Sequence, residues 1–139
     1  MKNKLCWLLV AVIVFDFGIT IFGQPSSYWH NPQTADEGNP VFRWFMFQGA
    51  FCYLAFILAY LVGVLALVTR LPREAAVITG LVFLLSHYFA GSTWLSYHFH
   101  LGMAGPILYA LVLSIALIMI LQSGESNICL MATTDHGEK

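Results

Sequence analysis

Two titratable side chains, Asp16 and His87, lie deep inside apolar segments of this sequence. A carboxylate at the centre of a membrane-spanning helix costs about 2.5 to 3.5 kcal/mol to insert, so it normally faces the protein interior and has a partner. Asp16 precedes Gly23 by seven residues and His87 precedes Trp94 by seven, which places both about 10 Å below one end of their helices. We therefore predict that they pair, with Thr20 one turn away and able to donate a hydrogen bond to Asp16.

This predicted pair has two interpretations. A buried hydrogen bond can fix the register of two helices without any further role. An imidazole beside a carboxylate can also handle protons or bind a ligand. On the third apolar segment a stripe of small or polar positions recurs at helical spacing, and we expect this face to turn inward. The stripe contains Gly80, Leu84, His87, Gly91 and Trp94, and His98 is a further candidate for it.

A second group of polar residues lies between the apolar segments. His30, Asp36 and Glu37 precede the second segment, and His98 and His100 follow the third. Imidazole and carboxylate are suitable ligands for zinc or copper, so a metal site built on His30, His98 and His100 is one interpretation. Their spacing matches no complete metal-binding motif, and solvated side chains at the membrane surface are the alternative.

The string Glu37-Gly-Asn-Pro-Val41 stands immediately before the second segment. Asn39 is a good N-terminal cap, and Pro40 is tolerated in the first turn of a helix. Glu37 is then expected near the positive end of that helix, or in reach of Arg43.

Taken together, Asp16-Phe-Gly-Ile-Thr20 and Glu37-Gly-Asn39-Pro40 resemble a family of small prokaryotic multi-span membrane proteins of unknown function. Members carry Asp-x-x-x-Thr in the first helix and Glu-x-Asn-Pro before the second. The resemblance covers about the first three apolar segments, and the loop before Glu37 is longer here. It implies that these five residues act together, and that a bent loop brings Glu37 and Asn39 over Asp16.

Composition places these residues in a membrane protein. Of 139 residues, 59% are hydrophobic and 9% are charged, whereas soluble domains carry about 25% charged residues. Four spans are predicted at about 5–23, 43–69, 75–95 and 103–122, followed by a short polar tail at 123–139. The first run is longer than a signal-peptide core and lacks an A-x-A site, which predicts an uncleaved span.

The distribution of lysine and arginine residues predicts the orientation of the chain in the membrane. With the N-terminus inside, five of the six basic residues lie on the cytoplasmic side, as the positive-inside rule requires. These five are Lys2, Lys4, Arg70, Arg73 and Lys139, and the outer one is Arg43. We predict an all-α integral membrane four-helix bundle with both termini cytoplasmic, in the prokaryotic inner (cytoplasmic) membrane.

The leading functional prediction is an accessory or structural subunit of a larger membrane complex, for example an energy-converting one. Loops are short, and Ala55, Ala59 and Gly63 form a row that lets helices approach closely in lipid. One alternative is a small membrane-embedded metal-binding protein or enzyme with an outward-facing His and carboxylate site. Another is a small oligomeric transporter or channel lined by the third segment.

The expected partners are membrane lipids, including bound lipid, and other integral membrane subunits. A net charge of -1 gives no basic surface for nucleic acid. The sequence contains no P-loop, G-x-S-x-G or H-E-x-x-H motif, which argues against the nucleotide, serine and zinc-protease chemistries that are easily recognised. No cofactor is required by any motif, and zinc or copper enters only through the histidine group.

Overall fold

The computed structural model describes residues 2–134, with side chains described up to residue 120 and at residue 122. Within this range the chain is helical and has no strand, which confirms the predicted all-α class. The α-helices are α1 (Lys2–Phe22), α2 (Pro40–Phe47), α3 (Ala50–Arg70), α4 (Arg73–Thr93) and α5 (Ala104–Thr134). Two short 3₁₀ turns at Ser26–Trp29 and Pro32–Thr34 join α1 to α2, and a π-helix at Trp94–His98 extends α4.

Three helices are long and apolar enough to cross a membrane, by length and composition. They are Lys2–Phe22, Ala50–Arg70 and the continuous helical stretch Arg73–His98. Among the residues whose side chains are described, α5 contributes the shorter apolar stretch Ala104–Ile120.

Helices α1 and α4 pack closely against each other and form the centre of the molecule. On α1 the buried side chains follow one another at intervals of about one helical turn, which is the pattern of a single inward face. These are Leu5, Leu9, Val12, Ile13, Asp16, Phe17 and Thr20. The predicted inward stripe of α4 is confirmed for Gly80, Leu84, His87, Gly91 and Trp94, which are all buried. Its further candidate, His98, is exposed.

The second segment differs from the unbroken span predicted at 43–69. The structure contains two helices here, α2 and α3, separated at Gln48 and Gly49. Gly49 has a φ of 104°, a conformation that glycine adopts far more readily than other residues, and this turn ends α2. Gln48 and Gly49 are a short interruption in an otherwise apolar run, which is why hydropathy alone joins the two helices.

Two further boundaries differ from the predicted spans. The third segment does not end at 95 but continues as a π-helix to His98. The fourth does not end at 122, because α5 continues to Thr134 and includes much of the segment predicted as a tail. Residues 135–139 of that predicted tail lie outside the described residues.

The connections gather at two opposite ends of the helices. At one end the Nζ of Lys2 donates to the carbonyl of Leu71 over 2.5 Å, which ties the start of α1 to the turn between α3 and α4. At the other end lie residues 23–39 and 94–103, and Asp36 approaches His98 to 3.7 Å. We call these the Lys2 end and the loop end. The sequence analysis also placed Lys2, Arg70 and Arg73 on one side and Arg43 on the other.

Gly23 supplies a test of how tightly α1 meets the π-helix. A Cβ atom on Gly23 would lie 2.6 Å from Cε3 of the Trp94 ring, so Gly23→Ala must displace this buried indole. We expect the free energy of unfolding to fall by about 1 to 3 kcal/mol, as for other overpacked sites. The readout is thermal unfolding in detergent.

Gly18→Ala is the matched control, because a Cβ at Gly18 would meet nothing within 4 Å. Alanine is the better helix former by about 0.5 to 1 kcal/mol, so this variant should be as stable as the parent or more so. Equal stability of the two variants would contradict the close packing of Gly23 on Trp94.

Candidate functional site

Asp16 and His87 are in direct contact in the centre of the helix bundle. The Nδ1 of His87 lies 2.7 Å from Oδ2 of Asp16, and both side chains are only 4% exposed. The pairing predicted from their matched depth is therefore present. A contact this short between an imidazole N–H and a carboxylate is charge-assisted, which makes it stronger than a neutral hydrogen bond.

Tyr60 on α3 completes this contact from the other side of the imidazole. Its hydroxyl lies 2.9 Å from Nε2 of His87. Because Nδ1–H donates to the carboxylate, Nε2 of a neutral imidazole accepts from the tyrosine hydroxyl, and the tautomer is set. Three helices thus meet at one imidazole. The sequence analysis missed Tyr60, although a hydroxyl in the middle of an apolar segment is a signal that it needs a partner.

The second oxygen of Asp16 is free. Oδ1 is buried and has no hydrogen-bond partner among the described residues. The hydrogen bond expected from Thr20 is therefore not formed to this oxygen, and that expectation is wrong. Sharing one helix face brings Thr20 and Asp16 to the same cavity wall, but it does not align the hydroxyl with the carboxylate.

A cavity of about 450 Å³ opens beside Asp16 at the loop end. The polar residues of its wall come from α1, from the loop before α2, from the end of α4 and from the π-helix. They are Asp16, Thr20, Asp36, Glu37, Asn39, Thr93, Tyr97 and His98. Glu37 and Asn39 thus share one cavity with Asp16 and Thr20, the arrangement implied by the resemblance. Among the described residues, the wall includes three carboxylates and no lysine or arginine.

Glu37 is held in place by its own turn. Its Oε1 accepts a hydrogen bond of 2.8 Å from the backbone N–H of Asn39, and Asn39 in turn caps α2 at the N–H groups of Val41 and Phe42. The predicted cap is confirmed. Arg43 reaches Glu37 as well, but its Nε donates to the backbone carbonyl rather than to the carboxylate.

The pKa of Glu37 is raised above its ordinary value. Burial is the largest cause, because a carboxylate withdrawn from water loses hydration, and the negative charge of Asp16 acts in the same direction. The hydrogen bond from Asn39 and the charge of Arg43 oppose the rise. Glu37 is therefore easier to protonate than an exposed glutamate, and the charge of the cavity responds to pH.

Gln24 fixes the loop that carries these carboxylates. Its side-chain amide donates to the carbonyls of Thr20 and Asp36 over 3.1 and 3.0 Å, and it accepts from the N–H of Asp36 over 2.8 Å. This buried clamp folds the loop back over the end of α1. Sequence reasoning missed Gln24, since an amide at the end of a span looks like an ordinary surface residue.

The π-helix forms the opposite wall. His98 stacks on the Trp94 ring with 3.9 Å between ring centroids, and its Nε2 lies 3.7 Å from Oδ2 of Asp36. A π-helix carries more residues per turn than an α-helix and often occurs at functional sites. Here it lets Trp94, Tyr97 and His98 all line the cavity.

The histidines predicted as metal ligands do not come together. Neither His30 nor His100 lines the cavity, and within the described part of the chain no three His, Cys, Asp or Glu side chains form a group that could hold a metal ion. His98 and His100 share one side only in an extended strand. The structure instead places His98 in the π-helix and gives His100 a φ of 55°.

No family model, curated protein or solved structure matches this chain. The resemblance drawn from the two short motifs therefore stays a prediction. The site itself consists of a buried carboxylate, one oxygen of which has no partner among the described residues, at the wall of an acidic cavity.

The Asp16–His87 contact predicts strong coupling between the two positions. Asp16→Asn and His87→Gln should each lower the free energy of unfolding, because each leaves the remaining buried group without its charged partner. The double variant should be more stable than the sum of the two losses predicts, by about 0.5 to 3 kcal/mol. Thermal unfolding of the four proteins in detergent measures this difference.

The control cycle combines His87→Gln with Ser114→Ala. Ser114 donates to the carbonyl of Ala110 in its own helix, so the two losses should add. Strict additivity for Asp16 and His87 would show that the contact does not form in the membrane protein.

Proposed function

We propose that this chain is a membrane-embedded binding protein whose cavity takes a small cation from the outer side of the membrane. The observation that carries the proposal is the side chain of Asp16, which belongs to the cavity wall and whose buried Oδ1 has no hydrogen-bond partner among the described residues. A buried acceptor in this state is stabilised by a donor or a positive charge. Glu37 and Asp36 add to the negative potential of the same wall, and a concave site of one sign concentrates ions of the other.

The proposal includes the membrane arrangement. Three helices have the length and composition of spans, and the fourth crossing is assigned to α5, whose apolar part is Ala104–Ile120. The excess of basic residues at the Lys2 end supports a cytoplasmic position for both termini. The loop end and its cavity then face outward. A prokaryotic cytoplasmic membrane, as implied by the resemblance, is part of this proposal.

The Asp16–His87–Tyr60 contact serves this function by holding one carboxylate oxygen in a fixed position. His87 occupies Oδ2, and Tyr60 holds the imidazole from its far side. The Asp16 side chain at the cavity wall thus has little freedom to rotate. Fixed groups lose less entropy on binding, which favours affinity.

An accessory subunit of a larger complex is the second candidate, and one observation favours it. The small-residue row of α3, formed by Ala55, Ala59 and Gly63, is exposed, and a Cβ at Gly63 would meet nothing within 4 Å. A face of this kind suits close approach by a helix of another membrane subunit. Purification in a fixed ratio with larger subunits, lost in Gly63→Leu, is the result that supports it.

The first experiment is isothermal titration of the purified protein in lipid nanodiscs with Na⁺, K⁺, Ca²⁺ and methylammonium, one at a time. We expect saturable binding of at least one cation, weakened about tenfold or more in Glu37→Gln because a charge in the wall is lost. Glu74→Gln is the matched control, since Glu74 lies in the first turn of α4 at the Lys2 end. An equal loss in both variants, or no saturable binding, would contradict the proposal.

The raised pKa of Glu37 gives the binding a pH dependence. The ionised carboxylate attracts the cation and the protonated form does not, so affinity should fall as pH decreases through this pKa, which lies above 4.5. Asp16 from α1, Arg43 from α2, His98 from the π-helix and Asp36 from the loop are the other charged or titratable groups that face this site.

Binding measured from about pH 4 to pH 8 separates these contributions. In Glu37→Gln the loss of cation affinity at low pH should become smaller, whereas the His98→Gln variant should retain this loss. A profile that is the same in Glu37→Gln and in the parent would show that Glu37 does not titrate with binding.

A further inference from the structure

The cavity is built for an organic molecule rather than for a bare metal ion. Its volume of about 450 Å³ falls inside the range of about 300 to 1,000 Å³ that is usual for small-molecule sites. A metal ion needs several ligand atoms close together, and the described residues offer no group of three or more suitable side chains. A cation that fills this space therefore includes an organic group attached to its charged atom.

Aromatic rings supply a surface for such a body. Phe17, Phe42, Trp94 and Tyr97 line the cavity together with the carboxylates. The face of an aromatic ring attracts a cation within about 6 Å, and the ring also packs against apolar groups. Rings and carboxylates in one cavity are the combination that recognises an ammonium ion attached to an apolar group.

The unpaired oxygen of Asp16 favours a primary or secondary ammonium ion over a quaternary one. The Asp16 side chain is 4% exposed, and within the described part of the chain its Oδ1 has no hydrogen-bond partner. A primary or secondary ammonium ion donates an N–H bond to such an oxygen, whereas a quaternary ammonium ion has no N–H to give. A Cβ added to Gly91 would lie 3.4 Å from Oδ1, so the glycine keeps this oxygen uncrowded on the α4 side.

We propose that the ligand is a small protonated amine with an apolar body about the size of one aromatic ring. Its N–H donates to Oδ1 of Asp16, Glu37 adds a second negative charge, and its body packs against the rings of Phe17, Phe42 and Trp94. This inference rests on the proposed function, because it names the class of cation that the cavity takes.

The test is titration of the protein in nanodiscs with 2-phenylethylamine, with empty nanodiscs as the measure of partition into lipid. We expect saturable binding with one amine per chain, and at least tenfold weaker binding of choline and of neutral 2-phenylethanol. Asp16→Asn should weaken amine binding by about 10- to 100-fold, since the ammonium ion then donates to a neutral amide oxygen instead of a carboxylate.

A second pair of variants keeps the test independent of the stability of Asp16→Asn. Tyr97 is 76% exposed and lines the cavity, so Tyr97→Leu should fold and weaken amine binding by about 2- to 5-fold through the loss of a ring. Trp29→Leu is the matched control, because Trp29 is an exposed aromatic residue at the same end that does not line the cavity.

The possible failures are distinguishable. If 2-phenylethylamine binds no better than choline or 2-phenylethanol, or binds equally well to Tyr97→Leu and Asp16→Asn as to the parent, the amine proposal is overturned. If Na⁺, K⁺ or Ca²⁺ then still binds in a Glu37-dependent manner, the proposed cation function stands without it. If no cation binds at all, both proposals fall.

Discussion

A carboxylate in the middle of an apolar helix bundle persists only with a partner within hydrogen-bond distance, and His87 provides that partner for Asp16 at 2.7 Å. This requirement fixes how α1 and α4 are placed. Gly91, one turn beyond His87, keeps the helices close at this level, since a Cβ there would contact both α1 and α5. Tyr60 then brings α3 to the same imidazole. One polar contact therefore specifies the register of three helices whose other contacts are mostly apolar.

The cavity follows from what this contact leaves unsatisfied. His87 bonds one oxygen of Asp16, and the other has no partner among the described residues. The Asp16 side chain belongs to the wall of a cavity that is also lined by the loop before α2. That loop is shaped by polar side chains: Gln24 clamps the backbone of Asp36, and Asn39 both caps α2 and donates to Glu37. The same residues that satisfy backbone groups also gather negative charge over Asp16, so local folding and the acidity of the cavity have a common origin.

Sequence reasoning reached the parts of this site that depend on depth and on capping. Matched depth was enough to pair Asp16 with His87, because the cost of a buried charge leaves few other arrangements. It missed Gln24, which looks like an ordinary surface amide at the end of a span, and Tyr60, whose hydroxyl was not matched with His87. It expected three histidines to share a metal, since residue type was visible but the π-helix was not. The break at Gly49 was missed for a related reason, as hydropathy does not register one backbone angle.

Infrared difference spectroscopy of the protein in lipid bilayers tests the central claim that the Asp16 carboxylate takes part in binding a cation in the cavity. Spectra are recorded with and without saturating cation, using 2-phenylethylamine and Na⁺ in turn, and bands of Asp16 are identified by their loss in Asp16→Asn. The structure predicts that a bound cation shifts a carboxylate band of Asp16 while the band of Glu74, assigned with Glu74→Gln, stays unchanged. A bound cation that leaves the Asp16 band in place would show that the buried pair holds helices together and takes no part in binding.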